Sequence, residues 1–80
     1  MKTLLKSGSK NIIGKNLKLV RKNSKLTQEQ LAAKLELNNL PIDRITISRI
    51  ESGNRFVADY EVVEIAKALK ITPEILLSTD

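Results

Sequence analysis

The sequence contains no cysteine and no histidine. Disulfides, cysteine metal centres and conventional zinc sites are therefore excluded, because their ligands are missing. Histidine is also absent as a general base at neutral pH. The glutamates stand at helix-face or helix-start positions, with Glu61 and Glu64 on the predicted outer face of the fourth helix, and they do not converge with a nucleophile. We therefore expect no metal ion, no cofactor and no enzyme activity.

Aromatic residues are also scarce, with one Phe, one Tyr and no Trp. Two isolated aromatics cannot form the aromatic and basic surface with which RNA-recognition sheets stack bases. The apolar runs are only a few residues long, so we expect no membrane span. The N-terminal MKTLLKSGSKN has lysines but no long apolar stretch, unlike a secretory signal, so an intracellular protein is expected.

Positive charge is concentrated in the first third of the chain. The net charge is +5, residues 1–28 hold eight basic side chains and no acid, and residues 56–80 hold five acids against two lysines. A chain with one basic side is suited to a polyanion such as nucleic acid. The simpler alternative is a lysine-rich surface that only contacts solvent.

The hydrophobic pattern predicts an all-α fold, with five short helices around one core. We assign residues 1–10 to a flexible basic arm and residues 11–80 to one domain. Polar residues suited to capping a helix N-terminus stand at Thr27, Asp43, Asp59 and Thr72. The Thr27 cap is part of a capping box with Gln30, and Gly53 is expected to end the third helix in a left-handed conformation.

The predicted third helix has one polar face, and its opposite face is apolar, with Ile47 and Ile50. At 100° per residue one stripe holds Arg44, Ile45, Ser48, Arg49 and Ser52. Arginine can bond guanine, serine can bond several bases, and an aliphatic group can contact the thymine methyl in the major groove. The preceding helix offers its first amides to a phosphate. The alternative is that the arginines pair with Asp43 or Glu51 and that Ile45 is buried.

Three segments resemble the Cro/repressor-like (XRE-type) helix-turn-helix family: IGKNLKLVRKNSKLTQEQLAAKL, DRITISRIESGNR and DYEVVEIAKALKITPEILL. The most specific combination is LTQEQLA followed by TISRIESG. The resemblance implies a compact, lambda-repressor-like bundle of five helices, with the helix-turn-helix at about residues 27–53. It also implies a transcriptional regulator whose partner is double-stranded DNA.

The resemblance implies a role for individual positions. The base-contacting residues would be Arg44, Ile45, Thr46, Ser48 and Arg49. The contacts to the DNA backbone would come from Gln28, Asn54 and Arg55, and Lys18 on the basic first helix is expected to join them. In this family an arginine at the position of Arg21 pairs with a glutamate at the position of Glu51, so we expect this pair to be structural.

The sequence departs from the family pattern at three places. The connection LELNNLPIDR is longer than the family's turn, so it either lengthens the second helix or bulges the turn. Lys25 and Lys70 replace glycines that usually follow two of the helices, so those ends tolerate strain or use another cap. Ile45 stands where polar residues are common, which makes the expected base preference unusual.

A repressor-like regulator is the leading interpretation, and an antitoxin-like or other protein-interaction module of the same fold is the alternative. We expect no dimerisation domain after residue 77, and this expectation adds weight to the protein-interaction alternative. Operator recognition by this fold usually needs two copies, so a homodimer formed through Ile75, Leu76 and Leu77 or through the N-terminal arm is a hypothesis. The resemblance implies a cytoplasmic, nucleoid-associated protein from a prokaryote or a phage.

Overall fold

The computed structural model describes residues 8–79, which form five helices and no strand. The helices are α1 (Gly14–Asn23), α2 (Gln28–Leu37), α3 (Arg44–Glu51), α4 (Asp59–Leu69) and α5 (Pro73–Leu77). The expected all-α, five-helix architecture is confirmed. No helix in this part of the chain is long and apolar enough to cross a membrane. Residues 1–7 of the predicted arm lie outside the described residues.

The predicted start signals are confirmed for α2 and α3. Thr27 Oγ1 accepts from the Gln30 amide at 3.0 Å, and Gln30 Oε1 accepts from the Thr27 amide at 2.8 Å, which completes the capping box. Asp43 Oδ1 accepts from the Thr46 amide at 2.8 Å. These bonds supply acceptors to amides that lack a partner within the first helical turn.

The predicted start of α4 is wrong by one residue. Ala58 precedes the helix, and Asp59 is its first residue, with Oδ1 accepting from the Tyr60 amide. The amide of Ala58 instead donates to Glu61 Oε1 at 2.9 Å, half of a capping box. Thr72 precedes α5 as predicted, but its side chain makes no capping bond, and Pro73 sets the first helical turn.

Four helices end in the same way, with one residue in the left-handed conformation. These residues are Lys25, Asn39, Gly53 and Lys70, with φ of 59°, 65°, 79° and 58°. In each case the left-handed residue and the next one donate backwards into the last turn, as Leu26 does to Arg21 O at 3.1 Å. The two lysines therefore occupy, at some strain, the backbone conformation that glycine adopts most easily.

The core is aliphatic and receives side chains from all five helices and from the α2–α3 connection. Among residues 8–79, its largest fully buried side chains are Ile13, Leu17, Leu31, Leu35, Ile47, Ile50, Ile65 and Leu76. The long connection does not lengthen α2, which ends at Leu37. The connection is anchored to the domain, because the side chains of Leu40 and Ile42 are buried in the core. Residues 38–43 thus form a bulged but anchored turn between α2 and α3, which pack against each other.

Candidate nucleic-acid interface

The third helix divides into a buried and an exposed side. Ile47 and Ile50 are fully buried, whereas Ile45 is 55% exposed. We call the outward residues of this helix the α3 stripe; they are Arg44, Ile45, Thr46, Ser48 and Arg49, of which only Thr46 is half-buried. The alternative in which Ile45 is buried is therefore wrong. The domain leaves a large aliphatic side chain in solvent among arginines and hydroxyls.

The beginnings of α2 and α3 lie side by side. Arg44 Nε stands 3.7 Å from Glu29 Oε1, and both side chains are more than half exposed, so this pair adds little stability. The ion pair of Arg44 is thus with Glu29, and not with Asp43 or Glu51 as the alternative interpretation had it. Hydrogen bonds from Thr46 lower the pKa of Asp43, which keeps the capping carboxylate charged.

Behind the α3 stripe, a buried ion pair joins the first helix to the third. Arg21 Nε donates to Glu51 Oε2 at 2.7 Å, and Arg21 Nη2 donates to Glu51 Oε1 at 3.1 Å. Their side chains are only 9% and 4% exposed. Gln28 Nε2 also donates to Glu51 Oε1, at 3.1 Å. Gln28 is therefore held at the start of α2, with one amide hydrogen of its side chain directed inward.

The segment after α3 contains two more of the four residues expected at the DNA backbone. Asn54 is exposed, and its Nδ2 donates to Ser52 Oγ at 3.1 Å. The Arg55 side chain is 32% exposed and pairs with Glu61 through Nη1 to Oε1 at 3.1 Å and Nη2 to Oε2 at 3.0 Å. A phosphate at Arg55 would share this guanidinium with the carboxylate of Glu61.

The helical pattern predicted Glu61 on the outer face of the fourth helix, and this prediction is wrong. Glu61 is only 6% exposed. Burial alone would raise the pKa of Glu61, but hydrogen bonds from Arg55 and from the Ala58 amide outweigh burial and lower it. The same carboxylate raises the pKa of Arg55. Glu61 is thus a charged anchor for the connector between α3 and α4.

Lys18 is exposed on α1 and lies along a groove that reaches the C-terminal end of α3. The same groove is lined by Lys15, Ser52 and Gly53. Lys18 therefore shares a side of the molecule with the residues that end α3. Within residues 8–79 no group of acidic residues is arranged to hold a metal ion.

Sequence reasoning missed Asn11, whose side chain touches three segments. Its Nδ2 donates to Ile50 O at 3.1 Å and to Arg55 O at 2.9 Å, and its Oδ1 accepts from the Gly14 amide at 2.8 Å. The available signal was an asparagine three residues before a helical glycine, the spacing of an N-terminal cap. That signal predicts the bond to Gly14 but neither of the bonds to distant carbonyls.

Two adjacent helices, of which the second exposes a polar stripe beside the capped start of the first, define a helix-turn-helix domain. This class of domain binds DNA, is typical of transcription regulators and is typically non-enzymatic. The chain belongs to this family: the family model described as helix-turn-helix domain matches residues 14–79. The XRE-type resemblance is confirmed. No curated protein and no solved structure matches the chain.

Proposed function

We propose that this chain is a sequence-specific, repressor-like transcription regulator that inserts α3 into the major groove of double-stranded DNA. The observation that carries the proposal is the exposed α3 stripe, in which Ile45 is 55% exposed although the opposite side of the helix is fully buried. Single exposed apolar side chains are common on protein surfaces, so Ile45 supports the proposal as part of the α3 stripe, together with its two arginines and two hydroxyls, and not by itself. A base edge with a methyl group fits that surface.

Each residue of the α3 stripe has a chemistry that fits base edges. Arg44 and Arg49 can each bond O6 and N7 of a guanine with two nitrogens. Ile45 can contact the methyl group of thymine, and the hydroxyls of Thr46 and Ser48 can donate or accept. The weak contact of Arg44 with Glu29 is easily exchanged for a base, since both side chains are exposed.

The proposed backbone contacts lie on either side of the α3 stripe. Gln28 has a second side-chain amide hydrogen beyond the one directed at Glu51, and the first amides of α2 add a positive dipole. Asn54 is exposed beyond the end of α3, and Lys18 faces the groove beside that end. Arg55 completes the set only by sharing its guanidinium with Glu61. Such contacts orient the domain without reading sequence.

We also propose that two copies bind a dyad operator. Of the three residues expected at a helix 5 contact, Leu76 is fully buried, whereas Ile75 is 46% and Leu77 is 43% exposed. Only Ile75 and Leu77 can therefore contribute apolar area to a second copy. A symmetric protein dimer requires half-sites spaced by about one helical turn of DNA.

Selection of bound sequences from random duplex DNA at moderate salt tests the proposal. We expect one enriched motif with a dyad. Alanine at Arg44 and Arg49 should weaken binding to that motif by about 1–3 kcal/mol each and relax the preference at one position, whereas Lys18→Ala should weaken all sequences alike. Lys67→Ala removes an exposed lysine from α4, outside the proposed surface, and serves as the control.

Two results would count against the proposal. Absence of any enriched sequence, or unchanged binding in the Arg44→Ala, Arg49→Ala double variant, would remove sequence-specific DNA binding. Sedimentation showing a monomer both free and on a selected operator would remove the dimer alone. A protein partner captured without any DNA preference would instead favour the protein-interaction alternative.

A further inference from the structure

Asn11 uses its entire side-chain amide in contacts between separate segments. Both hydrogens of Nδ2 go to backbone carbonyls, of Ile50 in α3 and of Arg55 in the following connector. Its Oδ1 accepts from the Gly14 amide in the first turn of α1. Ser9 Oγ accepts from the Asn11 amide at 3.3 Å and donates to the Asn11 carbonyl at 2.7 Å, which holds the residue from the other side.

These contacts fall on the C-terminal end of the third helix, where carbonyls lack partners in the helix itself. The Ile50 carbonyl accepts from both Gly53 and Asn11, and the Gly53 carbonyl accepts from the Lys10 amide at 2.8 Å. Residues 9–11 therefore cap the end of α3 from outside. These residues belong to the part of the chain that the sequence assigned to the arm and to the start of the domain.

The backbones of α1 and α3 approach closely at the same place. A Cβ on Gly14 would clash with the Ile50 carbonyl oxygen, and a Cβ on Gly53 would lie 2.5 Å from Ser9 Oγ. Glycine at these two positions permits the contact of residues 9–14 with the end of α3. Asn11 lies at the centre of this contact and carries the side chain that spans it.

We propose that Asn11 is a positioning residue that fixes the end of α3, and thereby the direction in which α3 presents Arg49 and the following connector presents Asn54 to DNA. Asn11 itself contacts no base or phosphate in this proposal. The bond to the Arg55 carbonyl fixes the connector immediately after Asn54. The inference rests on the proposed function, because it concerns how the same surface discriminates between sequences.

The chain contains a matched control for this role. Asn16, five residues further along, also donates twice from Nδ2 to backbone carbonyls, those of Leu76 and Ser78. Its bonds join the first turn of α1 to the end of α5, whereas those of Asn11 join the segment before α1 to the end of α3. Asn11→Asp and Asn16→Asp therefore make the same change in charge and donors near the N-terminal end of α1, but at contacts with different helices.

The first measurement needs no DNA. Asn11→Asp retains an acceptor for the Gly14 amide but places a carboxylate against two carbonyl oxygens. We expect hydrogen exchange of the Gly53 and Asn54 amides, which close the last turn of α3, to become about tenfold faster. Asn16→Asp should leave these amides unchanged. Asn11→Ser, which keeps a smaller acceptor, repeats the comparison if the aspartate variant is poorly folded.

The second measurement compares affinity for the selected operator with affinity for scrambled DNA, at a temperature where circular dichroism shows each variant folded. Asn11→Asp should lower this ratio by about tenfold, the value of one good base contact, and Asn16→Asp should keep it within about twofold. Equal effects of the two variants on either measurement would overturn the inference. If the wild type selects no sequence, the proposed function fails, while the exchange comparison still decides whether Asn11 fixes the end of α3.

Discussion

Arg21 and Glu51 join the first helix to the third through two charge-assisted hydrogen bonds of 2.7 and 3.1 Å. The bond to Glu51 raises the pKa of Arg21 further above its ordinary value. Arg21 Nη1 also donates to the Leu26 carbonyl, and Glu51 accepts from Gln28. One buried carboxylate thus connects α1, the start of α2 and α3. The position of the α3 stripe therefore depends on this connection.

Replacing Glu51 by Gln should lower the free energy of unfolding by about 3 kcal/mol, because it leaves a buried guanidinium without its counter-charge. Urea denaturation measures the loss. Glu36→Gln makes the same change at an exposed position of α2 and should stay within about 0.5 kcal/mol of the wild type. Similar losses in the two variants would show that the Arg21 pair contributes no more than a surface charge.

Protonation of Glu61 should make the free energy of unfolding depend on pH. Its pKa in the folded protein is lowered, so its contribution is present above the unfolded value of about 4.3 and is lost as pH falls through the folded value. Glu61→Gln should cost about 3 kcal/mol at neutral pH and flatten the decline in unfolding free energy towards low pH. Denaturation curves at several pH values measure both effects. Glu64→Gln, at a half-exposed position of the same helix, is the control. If the unfolding free energy of Glu61→Gln falls towards low pH as steeply as that of this control, Glu61 does not have this role.

Lys25 and Lys70 have a left-handed backbone conformation, and we expect substitution by glycine to relieve its strain. Lys25→Gly should stabilise the protein by about 1 kcal/mol, since glycine adopts a φ of 59° without the penalty of a Cβ. Lys22→Gly removes the same charge within α1 and should instead destabilise by about 1 kcal/mol. Thermal denaturation of both variants provides the test. Destabilisation by the Lys25 change would mean that its side chain contributes more than the strain costs.

Two isoleucines of the third helix should separate binding from stability. Ile47 is 1% exposed, so Ile47→Ala should cost about 2–5 kcal/mol of unfolding free energy. Ile45→Ala should change stability by less than about 0.5 kcal/mol, yet weaken binding to the selected operator by about 1 kcal/mol. Chemical denaturation and equilibrium binding measure the two effects. Unchanged operator affinity in Ile45→Ala would remove Ile45 from the base-contacting set.

Local chemistry was sufficient for most helix boundaries. Thr27 and Asp43 each cap the helix that follows them, because the donor and acceptor lie within four residues in the chain. The helical period was wrong for Glu61, because the period does not take account of the connector that precedes the helix. It placed Glu61 outside, but Arg55 and the Ala58 amide, six and three residues before it, supply the donors that let its carboxylate be buried.

The sequence by itself determined the class of fold, the family and the division of α3 into a buried and an exposed side, because periodicity, caps and the LTQEQLA motif are local properties. The tertiary structure decided how α3 is held. Asn11 reaches carbonyls 39 and 44 residues away, and the anchored turn at residues 38–43 sets the start of the helix. Such contacts depend on which backbones come together, and no short stretch of sequence encodes that.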